Sequence, residues 1–229
     1  MKNLEIAILD TGISNMPYLE RNKIVRLELG DNGVARQRKI ISDNMNHATI
    51  CATILSEQVS NITIYDIKVL SERQGGRIEK LLQGLLWCLK SNVSVIHLSL
   101  GTLLYGDYIC IKNVIEDLVR NNKVIVAAHH NETLRSYPAV MDKVIGVRCD
   151  RDNKLTNGEI GCYDLEHNSY ILNTSKCLDD MGIMVENANY NSYAVPIMTA
   201  YIIKFLQKAD RCNVREVLEY LHHHSICIA

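Results

Sequence analysis

The first 150 residues alternate short apolar runs with segments of helical periodicity, and few folds accommodate that order. Leu4 to Leu9 is an apolar run closed by Asp10-Thr11-Gly12. His47 to Leu55 suits a helix, Ile62 to Leu70 a strand, and Gly75-Gly76 a turn. Ile78, Leu81, Leu82, Leu85, Leu86 and Leu89 then recur at the spacing of one helix face. Val93 to Leu100 reads as a strand, Ile111 to Val119 as a helix, and Val124 to Ala128 and Val144 to Val147 as two more strands. Runs of this kind suit strands buried on both faces, so the expected fold is α/β: a doubly wound, mostly parallel sheet with helices on both faces. Residues 150–190 show no clear period. Ser192 to Leu206 predicts an apolar helix and Val214 to Leu221 an amphipathic one. In such sheets, sites form at the carboxyl ends of the strands. Asp10, Gly101 and His129-His130-Asn131 all follow strand ends and should therefore meet on one edge.

Length and charge narrow the function. The 229 residues suit one domain spanning 1–229. With 25 basic and 26 acidic residues the net charge is -1, and no dense basic run points to nucleic acid. Arg36, Arg38 and Lys39 are expected to be a solvated loop. No segment approaches the roughly 18 apolar residues of a membrane span, and the first residues lack a signal-peptide core. Eight cysteines without a C-x-x-C pair are expected to be reduced thiols in a cytoplasmic protein. No Gly-rich phosphate loop follows a strand, which argues against a nucleotide-binding domain.

Four segments carry residue types that work together in acyl transfer: Ile8-Leu9-Asp10-Thr11-Gly12, Asn46-His47-Ala48-Thr49, Val126-Ala127-Ala128-His129-His130-Asn131, and Asn191-Ser192-Tyr193-Ala194-Val195-Pro196. A serine hydroxyl needs a base to take its proton, and a histidine needs a carboxylate to fix its tautomer. The order Asp, His, Asn, Ser resembles that of the subtilisin-like serine proteases. The likeness continues through Ile64 to Leu70, through Gly84 to Gly101, and through Tyr137-Pro138-Ala139. It implies a catalytic triad of Asp10, His47 and Ser192, with Asn131 as side-chain donor to the oxyanion. It also implies an extended peptide held along Ser99-Leu100-Gly101, with His129 and His130 lining the pocket for the residue before the cut. Gly101 is expected to be glycine so that the substrate backbone can approach. A helix starting at Ser192 would direct its N-terminal N–H groups at the oxyanion.

The departures from the family pattern shape the expected activity. Ala48 stands where glycine usually follows the histidine, Tyr190-Asn191 where Gly-Thr usually precedes the serine, and His129-His130 where small residues are usual. Tyr190 is expected to conflict with a backbone that favours glycine. The calcium loop that many relatives carry after the histidine helix has no room between Ser56 and Asn61, so no calcium is expected there. His222-His223-His224 is taken as a solvated helix end, Cys51 as a packed thiol, and no cofactor or metal is called for. The chain starts at Met1, and folding without a propeptide is expected. These features suggest a selective serine endopeptidase, for example one removing a leader from a precursor peptide. The partners expected are a peptide or protein substrate and a second subunit or copy of the chain, with neither nucleic acid nor membrane. The alternative is a catalytically inactive subtilase fold serving as a binding or regulatory subunit.

Overall fold

A computed structural model of the chain describes residues 3–30, 33–39, 44–71, 75–132, 134–156, 158–164, 168–209 and 213–227. Cys212 of the cysteine set lies outside them. The central strand is β1 (Leu4–Asp10), parallel to β4 (Ile62–Lys68) on one side and to β5 (Val95–Leu98) on the other. Beyond β4 come β2 (Lys23–Leu29) and β3 (Ala35–Gln37). Beyond β5 come β6 (Val124–Ala128), β7 (Ile145–Cys149), β9 (Ser169–Leu172), β8 (Ile160–Asp164) and β10 (Ser225–Cys227). Only the β2–β3 and β8–β9 pairs among the described strands are antiparallel.

Strand side chains alternate between two faces, and β1 supplies both cores. Leu4, Ile6 and Ile8 belong to one cluster with α1 (His47–Gln58), α4 (Thr174–Asp180), α5 (Ala194–Leu206) and α6 (Val214–His224). Ala7 and Leu9 belong to the other, with α2 (Ile78–Lys90) and α3 (Tyr105–Arg120). Helix α5 is buried on most sides, which explains its unbroken apolar sequence. The expected doubly wound α/β architecture is present, with helices on both faces. No helix among the described residues is long and apolar enough to cross a membrane.

Several local expectations need correction. The helix foreseen from Ser192 is preceded by a 3-10 turn at Asn191–Tyr193, and α5 begins at Ala194. Helix α3 begins at Tyr105, ahead of its periodic residues, because its first turns lie at the surface and carry no inward stripe. Strands β2, β3, β8, β9 and β10 and helix α4 gave no periodic signal; most are short, and their pairing comes from neighbours distant in sequence.

Arg38 is not solvated. Its side chain is only 9% exposed and pairs at 2.5 Å with Asp66 of β4, itself fully buried. Asp66 also accepts a hydrogen bond from the Ile13 N–H at 2.9 Å. Arg26 of β2 donates to the carbonyls of Ile13 and Ser14, both at 3.0 Å. The Arg38 guanidinium fills the space where Gly12 (φ +94°) has no side chain: a Cβ there would lie 2.7 Å from it. The turn that follows Asp10 is therefore pinned by two arginines and one carboxylate. Burial pushes the Asp66 carboxyl up to about 6, against the pull of Arg38.

Because the folded value exceeds the ordinary 3.8, protonation of Asp66 favours the folded state. That contribution is fully present below about pH 4 and is lost as the pH rises through about 6. Replacing Arg38 strips a buried charge of its partner, at a cost of about 3 kcal/mol. Urea unfolding of Arg38→Met should show that loss at pH 8, and a clearly smaller one at pH 5, where Asp66 can take a proton.

Candidate active site

The carboxyl ends of β1, β5 and β6 and the amino ends of α1 and α5 bring the singled-out residues to one edge. Asp10, the last residue of β1, is fully buried and accepts the N–H of Thr11 at 2.6 Å. His47 opens α1, and its Nδ1 lies 3.0 and 2.9 Å from the two Asp10 carboxylate oxygens. The entry into α1 is held from the β1 side. Asn46 caps the helix by accepting the Thr49 N–H at 3.0 Å, while its Nδ2 donates to the Gly12 carbonyl at 2.9 Å. Thr49 in turn accepts the Ser14 N–H at 2.9 Å. The position and rotamer of His47 thus follow from the turn after Asp10.

Burial works against a charged His47 imidazole, but the Asp10 charge and hydrogen bond outweigh it, and the net pKa is raised above 6.5. Tyr193, not foreseen from the sequence as a neighbour of the site, packs its ring 5.8 Å from the imidazole. Burial pushes its phenol up to about 12. Cys51 lies one helical turn beyond His47, and its thiol is held protonated by desolvation and by the nearby Asp10 charge. Asp10, His47 and Cys51 offer ligand atoms all within 4.8 Å of one another and form the one group among the described residues with metal-ligand spacing. Asp10 and His47 are already bonded to each other, and a buried neutral thiol is a poor ligand, so this arrangement suits proton handling better than coordination.

Ser192 sits in the 3-10 turn ahead of α5, with its side chain half-buried. Its carbonyl accepts the Ser99 hydroxyl at 2.9 Å and lies 3.9 Å from Cys51 Sγ. No hydrogen bond of 3.5 Å or less joins Ser192 to His47. Such bonds commonly close only when substrate is in place. Tyr190 adopts φ -77° and ψ 131°, ordinary extended backbone, so the expected conflict with glycine geometry does not arise.

Asn191 was not foreseen as part of the site, yet it organises it. It is buried, its backbone N–H donates to Asn131 Oδ1 at 2.8 Å, and its Nδ2 donates to the carbonyls of His129 and His130 at 3.2 and 2.8 Å. Its Oδ1 accepts the Cys149 N–H at 3.0 Å. With its oxygen engaged, the Asn131 amide keeps Nδ2 free of hydrogen bonds to described residues. The Arg151 guanidinium donates to the Asn131 carbonyl and holds the exposed residue from outside. The sequence signal was present: an asparagine beside the serine, where relatives carry a small hydroxyl residue, has a side-chain amide that makes three bonds here beyond the reach of a threonine hydroxyl.

Of the two imidazoles expected at the pocket, the His129 ring is turned into the core, with Nε2 2.9 Å from Ser169 Oγ. Gly146 makes room for it, since a Cβ there would lie 2.5 Å from Nε2. His130 remains half-buried, with its N–H on Ser136 Oγ at 2.9 Å and its Nδ1 accepting the Glu132 N–H at 3.2 Å. Ser99, Leu100 and Gly101 run on from the end of β5, and outside the strand ladders they make no backbone hydrogen bond to a described backbone group. Gly101 has a reason to be glycine other than substrate approach: a Cβ would lie 3.1 Å from the Tyr137 carbonyl, beside the Thr102–Tyr137 bridge. His222, His223 and His224 end α6 at the surface, and the His224 ring lies 4.1 Å from that of Tyr220 at a tilt of 36°.

Comparison with known families matches residues 1–217 to the subtilase family. The chain belongs to the subtilase family. It is 27% identical over 163 residues to the major intracellular serine protease of Bacillus subtilis, covering 64% of this chain and 50% of that protein. It is 26% identical over 161 residues to subtilisin E of the same organism, covering 63% of this chain and 40% of the relative. The chain thus spans about half or less of these subtilases. Among solved structures it is similar to sphericase (TM-score 0.72, 16% identity, 96% of this chain, 82% of the other). It is also similar to the nisin leader peptidase NisP from Lactococcus lactis (TM-score 0.70, 16% identity, 96% of this chain, 82% of the other). These two likenesses establish the subtilase fold.

The contribution of His47 to stability is fully present below pH 6.5 and is lost as the pH rises through the raised folded value. An NMR titration should place the His47 midpoint above 6.5 in the wild type. In Asp10→Asn, with burial no longer opposed by a charge, the midpoint should fall below that of the wild type. An unchanged midpoint would mean that Asp10 does not govern the imidazole.

Proposed function

We propose that this subtilase is a serine endopeptidase in which Ser192 is the nucleophile, His47 its general base and Asp10 the carboxylate that orients the base. The observation that carries the proposal is the pairing of two linkages on one sheet edge. Asp10 grips His47 Nδ1, which leaves Nε2 to take a proton. Asn191, adjacent to Ser192, grips the Asn131 oxygen, which leaves the amide N–H groups for an oxyanion. The Ser192 oxygen attacks the scissile carbonyl as its proton passes to His47. The tetrahedral oxyanion accepts from Asn131, and His47 returns the proton to the leaving amine. Water then repeats the sequence on the acyl-enzyme.

A peptide adds as a strand along Ser99-Leu100-Gly101, whose main-chain groups are not consumed by their neighbours. His130 borders the pocket for the residue before the cut, where a polar, partly fixed ring narrows the choice of side chain. We assign the enzyme to selective processing of precursor peptides rather than general digestion. Two structural neighbours, named as a nisin leader peptidase and a prenylagaramide maturation protease, support that role. Seven described cysteines are free, five of them buried. That suits a reducing compartment, and one relative is named as intracellular.

A fluorophosphonate probe followed by peptide mapping should place one adduct on Ser192, and Ser192→Ala and His47→Ala should carry none. Absence of the adduct from folded wild-type protein would instead favour a subtilase fold that binds without cutting. Asn131→Leu should retain substrate binding and lose about 10² to 10³ in kcat, the effect of removing one oxyanion donor. A fall below tenfold would remove Asn131 from the oxyanion role.

A further inference from the structure

Behind the Asp10–His47 pair lies a second imidazole that the proposed reaction does not use. His97 is fully buried on β5, in register with Ile8 of β1. Its Nε2 is 2.8 Å from Ser99 Oγ and its Nδ1 3.2 Å from Thr199 Oγ1 of α5. Ser99 Oγ is in turn 2.9 Å from the Ser192 carbonyl.

The direction of every proton in this chain is fixed by its last member. A carbonyl oxygen only accepts, so the Ser99 hydroxyl donates its single proton to Ser192. At His97 the same oxygen must then accept, which places the imidazole proton on Nε2. Neutral imidazole has its lone pair on Nδ1, so the Thr199 hydroxyl donates there. Burial holds His97 neutral, with its pKa pressed down to about 3, so the chain does not reverse across the working range. The Ser192 carbonyl has particular need of this donor. In a helix it would receive the N–H of the residue four further on, which here is Pro196, with none to give.

We propose that His97 is a positioning residue for Ser192: it fixes the hydroxyl rotor of Ser99 and so locks the nucleophile's own peptide to the strand that takes up substrate. The proposal rests on the serine-protease assignment of Ser192. His97 touches neither substrate nor reacting atoms; it acts through Ser99. A gap in the lock would leave the Ser192 carbonyl with the weak Cys51 donor alone, so that the turn, tied only at Asn191, could tilt Ser192 away from His47.

The test separates rate from binding. Labelling of Ser192 by a fluorophosphonate is followed as a saturable rate in wild type, His97→Leu, Ser99→Ala, the double variant and His97→Gln. The glutamine amide can place an N–H near the site of Nε2. Thermal unfolding of each variant confirms that it is folded. Expected are falls of about tenfold in the maximal labelling rate for His97→Leu and for Ser99→Ala, the rate equivalent of one lost buried hydrogen bond, with the half-saturating probe concentration unchanged. The double variant should fall no further than either single one, and His97→Gln should recover most of the rate. Wild-type rates in His97→Leu, additive losses in the double variant, or equal losses in His97→Leu and His97→Gln would each overturn the proposal.

A second readout does not depend on reaction. Nitrogen-15 NMR of the unlabelled protein should find His97 as the neutral Nε2–H tautomer from pH 5 to 8, shifted by Ser99→Ala. The Nδ1–H tautomer or an imidazolium in that range would overturn the lock. If the wild type takes no adduct, the protease assignment fails, and this measurement alone decides whether His97 orders the Ser192 turn.

Discussion

The site hangs from the register of β1 between β4 and β5. Parallel pairing places Asp10 beside Lys68 and sets Ile8 opposite both Asp66 and His97. One strand therefore carries Asp10 at its end and, two residues earlier, stands between a buried carboxylate and a buried imidazole. Asp66 and Arg38 fix the turn that leaves β1, and that turn caps α1 through Asn46, so His47 is aimed before any side chain at the surface is considered. A slip of one residue would turn Ile8 and Leu9 to the wrong cores and carry Asp10 out of reach of α1.

The departures from the family pattern read differently once their contacts are seen. Tyr190 occupies ordinary extended backbone. Asn191 converts a position usually held by a small residue into a buried anchor between the 3-10 turn and the end of β6. His129 replaces a small side chain but is absorbed by the space over Gly146 and by Ser169. Tyr193 covers one side of the His47 ring. The departures at Asn191 and His129 thus each have buried hydrogen-bond partners that accommodate them.

Much of this was legible in the sequence because it is periodic or local. The two-sided burial of β1, β4, β5 and β6 follows from their predominantly apolar runs, and α2 from its helical spacing. Asp10, His47, Asn131 and Ser192 follow from short motifs at strand and helix ends. What escaped depends on contacts between distant segments. Arg38 looks like any surface arginine until β3 sets it over Asp66. Asn191 looks like a plain helix-start residue until β6 and β7 arrive beside it. The crowding of Gly101 by the Tyr137 carbonyl, too, comes from a segment distant in sequence. Strands β3 and β8 to β10 are short, and β8 and β10 gain their place only from partners elsewhere in the chain.

The four bonds of Asn191 also impose an order in time. They tie a segment near residue 191 to one 60 residues earlier, and Cys51 meets the Ser192 carbonyl across 141 residues. A chain still emerging from the ribosome, complete through β7, would have Asp10, His47 and Asn131 already made, but nothing to hold the Asn131 amide in its orientation. The Asn131 side chain gains its anchor only when the last third of the chain docks. The order of synthesis thus sets the order in which this edge is assembled.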